Sequence, residues 1–158
     1  MKLARAYTGR NLVVRCSDHP FFSYDDWFIG STPLTKGIPS EVIAQTKQFK
    51  YNDFSSLEHV VDEFAGQIAC LVMEPATTEE PRDDFLKKIR DLCTKEGIVL
   101  IFDEMITGFR WHLKGAQAFY GVKSDLCTFG KAMANGFSVA CVTGRRELMS
   151  LGSYEPEG

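Results

Sequence analysis

Three short apolar runs end in groups that can hold or move a proton. VLIFDE ends in Asp103-Glu104, CLVMEP reaches Glu74-Pro75, and LCTFGK ends in Gly130-Lys131. If the three runs are parallel strands, their carboxyl ends lie along one sheet edge, where ligands bind in such sheets. Two acidic strand ends and an amine would then converge. A charge at the end of so apolar a run is costly to desolvate unless something pairs with it. Two pairings are open on spacing alone. One is a buried Asp–Lys ion pair. The other is an acid holding the cationic nitrogen of a bound cofactor.

The elements that must position these groups can be read from the pattern. Five apolar runs predict strands: Leu12–Cys16, Ile68–Glu74, Val99–Asp103, Leu126–Phe129 and Val139–Gly144. Several are apolar at consecutive positions, as in strands covered on both faces. Asp83–Glu96 places Phe85, Leu86, Ile89, Leu92 and Cys93 on one helical face, with Pro81 before it and Gly97 after it. Ser55–Phe64 predicts a second amphipathic helix, capped by Ser55 or Ser56. Strand and helix in alternation give an α/β fold, a mostly parallel sheet with flanking helices. Asp18 to Gly37, rich in aromatics, Gly and Pro, reads as a long irregular loop of the kind that often carries function.

Bulk composition narrows the function classes. The 158 residues are 44% hydrophobic and 25% charged, as in ordinary globular proteins, and the net charge is −3. No basic stripe suits a nucleic acid or an anionic membrane; Arg145-Arg146 is only a pair. No apolar run approaches a membrane span, and MKLARAYTGR lacks the apolar stretch of a signal peptide, which makes the cytoplasm the expected location. Five cysteines, Cys16, Cys70, Cys93, Cys127 and Cys141, show no CxxC spacing. They read as small buried hydrophobes rather than metal ligands.

At this point whole strings become familiar. IFDEMITGFR followed by GAQAFYGVKSDLCTFGKAMANGF resembles the class III aminotransferases, which depend on pyridoxal 5′-phosphate and have the type I fold. TGFR and GAQ lean toward the glutamate-1-semialdehyde 2,1-aminomutase-like branch. LVMEP precedes them in the family's order, and KLARAYTGR resembles the helix that follows its Gly-rich phosphate loop. The likeness runs from about Lys2 to Met149. It implies an enzyme acting on a small amino or oxo acid, with Lys131 as the lysine that forms the internal aldimine and then moves the substrate proton. Asp103 would pair with the pyridine nitrogen. Met105 falls where the family places a small β-branched residue against the ring, and Glu74 matches a second acidic position near the cofactor. The resemblance also implies a homodimeric parent, of which residues 1–158 would be part of the large, cofactor-binding domain, without the phosphate loop upstream or the small C-terminal domain.

Other residues weigh less. Where the family carries Tyr-His-Gly before an Asp-Trp pair, this chain has Phe21-Phe22-Ser23 before Asp26-Trp27, so Phe21 is the expected ring-stacking residue and His19 the alternative. His59 reads as a surface residue, and Arg110 and His112 as loop residues within reach of a substrate. Asp125 is expected to fix the start of its strand. Residues 1–7 read as the tail of a helix ending near Gly9 and 150–158 stop in a loop, which together suggest a central fragment; frayed termini on a small domain are the alternative. Two other functions stay open: a non-catalytic remnant of such an enzyme, and, distantly, a receiver-like signalling domain. The latter needs paired acids at an early strand end, and here only Asp18 follows Cys16-Ser17.

Overall fold

The computed structural model describes residues 1–19 and 23–152. A six-stranded sheet organises them, in the order β2-β1-β3-β4-β5-β6. The strands are β1 (Leu12–Cys16), β2 (Thr46–Phe49), β3 (Ile68–Met73), β4 (Val99–Asp103), β5 (Leu126–Phe129) and β6 (Cys141–Gly144). All neighbours pair in parallel except β5 and β6. The chain places β2 on one side of β1 and then crosses to β3 on the other. Such a reversal opens a crevice at the carboxyl ends of the strands.

Both faces are covered, which explains the unbroken apolar runs. Alternation along β3 and β4 sends Leu71, Met73, Leu100 and Phe102 to one side. There they pack with Leu57, Val60 and Val61 of α4 (Phe54–Glu63) and Phe85, Leu86, Ile89 and Cys93 of α5 (Phe85–Glu96). Cys70, Val72, Val99 and Ile101 go to the other. They meet Ala4 of α1 (Lys2–Thr8), Phe28 of α2 (Asp26–Ile29) and Leu148 of α7 (Arg146–Met149). Two short helices, α3 (Ser40–Ala44) and α6 (Ala116–Phe119), complete the set. No helix among the described residues is long and apolar enough to cross a membrane.

Several element ends differ from the sequence expectation, each for a local reason. β3 stops at Met73 because the Glu74 N–H leaves the ladder and donates to His19 Nδ1 at 2.9 Å. β6 begins at Cys141, opposite Phe129; Val139 instead turns back on Phe137. Asp83 and Asp84 have φ of 50° and 58°, left-handed values that no helix accommodates, so α5 starts at Phe85. Asp53, not a serine, caps α4: its Oδ1 accepts from the Ser56 N–H at 3.0 Å. β2 was not foreseen. It is an edge strand, TKQF, whose middle residues face outward and carry no apolar run.

Candidate active site

The sheet brings the strand-end groups together. β4 and β5 run parallel with Asp103 beside Thr128, so Asp103 and Lys131 leave from the same sheet edge. Glu74, after parallel β3, joins them there. Asp103 is held on one oxygen. Its Oδ1 accepts from Thr128 Oγ1 at 3.1 Å and from the Met105 N–H at 3.0 Å. Among the described residues no donor reaches Oδ2. Asp103 and Thr128 border a cavity of about 450 Å³ that Trp27, Val72, Ile101 and Val142 also line. That volume suits a small ligand.

Glu74 is buried, and its Oε2 has no hydrogen-bond partner among the described residues. Burial pushes its carboxyl up to about 7; the Asp103 charge adds to the rise and the Lys131 ammonium opposes it. These three groups therefore sit within electrostatic reach of one another. No ion pair among the described residues joins Asp103 to Lys131, so the ion-pair reading of their spacing is not met. Lys131 is exposed. It opens a single 3₁₀ turn, Lys131–Met133, at φ 44°. A non-glycine residue in that region is strained, by about 1–3 kcal/mol, and such strain gathers at functional sites.

Met105 lies against the seat of the lysine: a Cβ at Gly130 would collide with its thioether. Phe21 lies outside the described residues. His19 is buried and its Nδ1 accepts from Glu74, a bond that needs the neutral ring; burial accordingly lowers its pKa to about 4. Arg110 and His112 are exposed on the loop after β4, and His59 is on the surface near Glu63. Asp125 does more than start a strand. It accepts from the Leu100 N–H at 2.8 Å and pairs with Arg90 and Arg145. Cys16, Cys70, Cys93 and Cys127 are core residues, and burial raises their thiol pKa values.

Chemically, among the described residues the edge offers an exposed amine, a carboxylate that borders a cavity and has one oxygen without a donor, and a buried carboxyl with one oxygen unpartnered. Open acceptors of this kind fit a planar heterocycle that presents a ring N–H. Among the described residues no group of three or more His, Cys, Asp and Glu side chains could hold a metal ion. A wider cavity of about 710 Å³ lies behind β5 and β6, among Phe109, Leu113, Cys127 and Cys141, away from Asp103.

Known proteins give the arrangement a context. The family model for class-III aminotransferases matches residues 1–156. Glutamate-1-semialdehyde 2,1-aminomutase of Nitrosospira multiformis is 38% identical over 162 residues, covering 94% of this chain and 38% of the relative. The protein of that name from Methanococcus vannielii is 36% identical over 171 residues, covering 100% and 39%. Among solved structures, an omega-transaminase from Sphaerobacter thermophilus superposes with a TM-score of 0.87 at 30% identity, covering 99% of this chain and 41% of that one. A transaminase with PLP bound gives 0.85 at 29% identity, covering 94% and 38%. The chain thus spans about two fifths of the length of these relatives.

Proposed function

As the chain belongs to the class III aminotransferase family, we propose that it forms part of the pyridoxal-phosphate site of an enzyme that moves an amino group on a small amino or oxo acid. The observation that carries this reading is the convergence of Asp103, Glu74 and Lys131 at one parallel sheet edge, beside a cavity that Asp103 borders.

Pyridoxal phosphate, when bound, supplies a carbonyl carbon open to amines and a protonated ring that withdraws electrons. Asp103 Oδ2, left open while Thr128 and Met105 hold Oδ1, would keep the proton on the ring nitrogen. Lys131 Nζ would carry the cofactor and, once displaced by substrate amine, take and return the substrate proton. Glu74, with its carboxyl lifted to about 7, would be about half protonated near pH 7 and would exchange a proton with the same cluster. Met105 would pack near the ring, and Phe21 would stack on it. The parent would be a homodimer in the cytoplasm, with this chain as part of its large domain.

In the full chain with pyridoxal phosphate and amino donors, Lys131→Ala should lower transfer by about 10²–10⁴-fold. Asp103→Ala should be nearly as severe, and Asp103→Glu milder, because it keeps the charge and misplaces it by one methylene. Full transfer by Lys131→Ala would sink the reading. A second reading is an internal 2,1-amino exchange, favoured by the names of the relatives at 36–38% identity. A single substrate would then be isomerised with no separate oxo acid needed to accept the amino group, whereas a transaminase would need one.

A further inference from the structure

The Glu104 carboxylate is fully buried and none of the chemistry above uses it. Its partners are hydrogen-bond donors, all from one stretch of chain. Oε2 accepts from Thr107 Oγ1 at 2.8 Å and from the Ala116 N–H, and Oε1 accepts from the Gln117 N–H at 3.0 Å. A buried carboxylate this well supplied with donors is held firmly. Thr107 itself is 1% exposed, so the bonds are shielded from water. The loop leaving β4 at Asp103 and entering α6 at Ala116 is thereby closed at both ends on a single side chain.

Two glycines make room for the closure. A Cβ at Gly115 would collide with the Glu104 carboxylate. A Cβ at Gly108 would come within 2.7 Å of the Glu104 carbonyl oxygen, to which the Gly108 N–H donates at 2.9 Å. The sequence motifs TGFR and GAQ are thus both parts of one device.

The same loop start touches the groups assigned to the cofactor. The Glu104 N–H donates to Thr128 O at 2.9 Å, next to the Thr128 hydroxyl that bonds Asp103. The Met105 N–H bonds Asp103 Oδ1, and the Met105 thioether fills the space over Gly130, one residue before Lys131. Resting on the functional reading above, we infer that Glu104 is a positioning residue: its carboxylate latches the loop between β4 and α6 and thereby fixes both the Asp103 carboxylate and the seat of Lys131. Its carboxylate hydrogen-bonds to neither group.

The test uses amide hydrogen exchange on the full chain without cofactor, comparing wild type with Glu104→Gln. A second variant, Gly115→Ala, presses on the latch from the other side and leaves Glu104 in place. Both should cost the Ala116 and Gln117 amides at least about tenfold in protection. The Met105 amide should follow, although its N–H donates to Asp103 Oδ1 and not to the Glu104 carboxylate. Loss at Ala116 and Gln117 with Met105 unchanged would make Glu104 only a cap for α6 and overturn the inference, as would no loss anywhere. A titration with pyridoxal phosphate followed by visible absorbance then reads the consequence: Glu104→Gln should raise Kd about tenfold, or about 1.4 kcal/mol. An unchanged Kd would overturn the link to the cofactor. If wild type takes up no pyridoxal phosphate, the functional reading fails, while the Met105 amide still decides for or against the latch.

Discussion

Glu74 is a residue whose charge state the fold changes. Folding lifts its carboxyl from 4.5 to about 7, chiefly by burial. Between those pH values the folded chain keeps a proton that the unfolded chain releases, so stability falls as pH rises through that window. Below it both states are protonated and the effect vanishes; above it the full penalty remains. Glu74→Gln mimics the neutral acid at every pH. In the cofactor-free chain it should therefore raise Tm by several degrees near pH 8 and leave Tm unchanged near pH 4. An equal shift at both would place the effect in packing rather than charge. At this scale the sequence was most informative about Asp103, Glu74 and Lys131, because strand ends carry ligand chemistry in parallel sheets. It hid Glu104. An acid beside a candidate site acid looks like part of the same pair, and only the loop's return to Gly115–Gln117 reveals its donors.

Among the elements, the strands buried on both faces were legible; of the two edge strands, β6 was legible with its start two residues early and β2 was not. β1, β4 and β5 begin and end where their apolar runs do. β2 escaped because Lys47 and Gln48 at its centre break the apolar pattern that burial imposes elsewhere. Cap identities were also out of reach, since Asp53, Ser55 and Ser56 are all good N-cap types and only geometry chooses Asp53. Asp125 shows what ties elements to each other. It joins the β4 backbone at Leu100 to Arg90 of α5 and to Arg145 before α7. Removing Asp125 leaves the buried Leu100 N–H without an acceptor and the largely buried Arg90 without its counter-charge, while the half-exposed Arg145 loses less; breaking a buried pair costs about 3–5 kcal/mol. Asp125→Ala should lower unfolding free energy by roughly 3 kcal/mol in urea titration, and Asp125→Asn by less, because it still accepts from Leu100. A loss under about 1 kcal/mol would contradict this account of the three-element tie.

For the whole molecule, the sheet ends in a strand that is open on one side. Val142 of β6 is 47% exposed, and Phe137 and Leu113 nearby are 83% and 78% exposed. Open strand edges and apolar patches promote association. The 158-residue chain should therefore elute from a sizing column ahead of its 17.8 kDa mass at micromolar concentration. Val142→Lys should shift it toward monomer; a wild-type chain that is already monomeric would contradict the expectation. The chemistry proposed at the carboxyl ends of the strands, whose cavity Val142 also lines, has a more direct probe. Borohydride fixes pyridoxal phosphate to whichever lysine carries it, and peptide mapping then reports the position. The full chain, saturated with cofactor and reduced, should carry the label on Lys131. Label on Lys114 or Lys123 in its place would contradict the assignment of Lys131 and, with it, the active site built around Asp103.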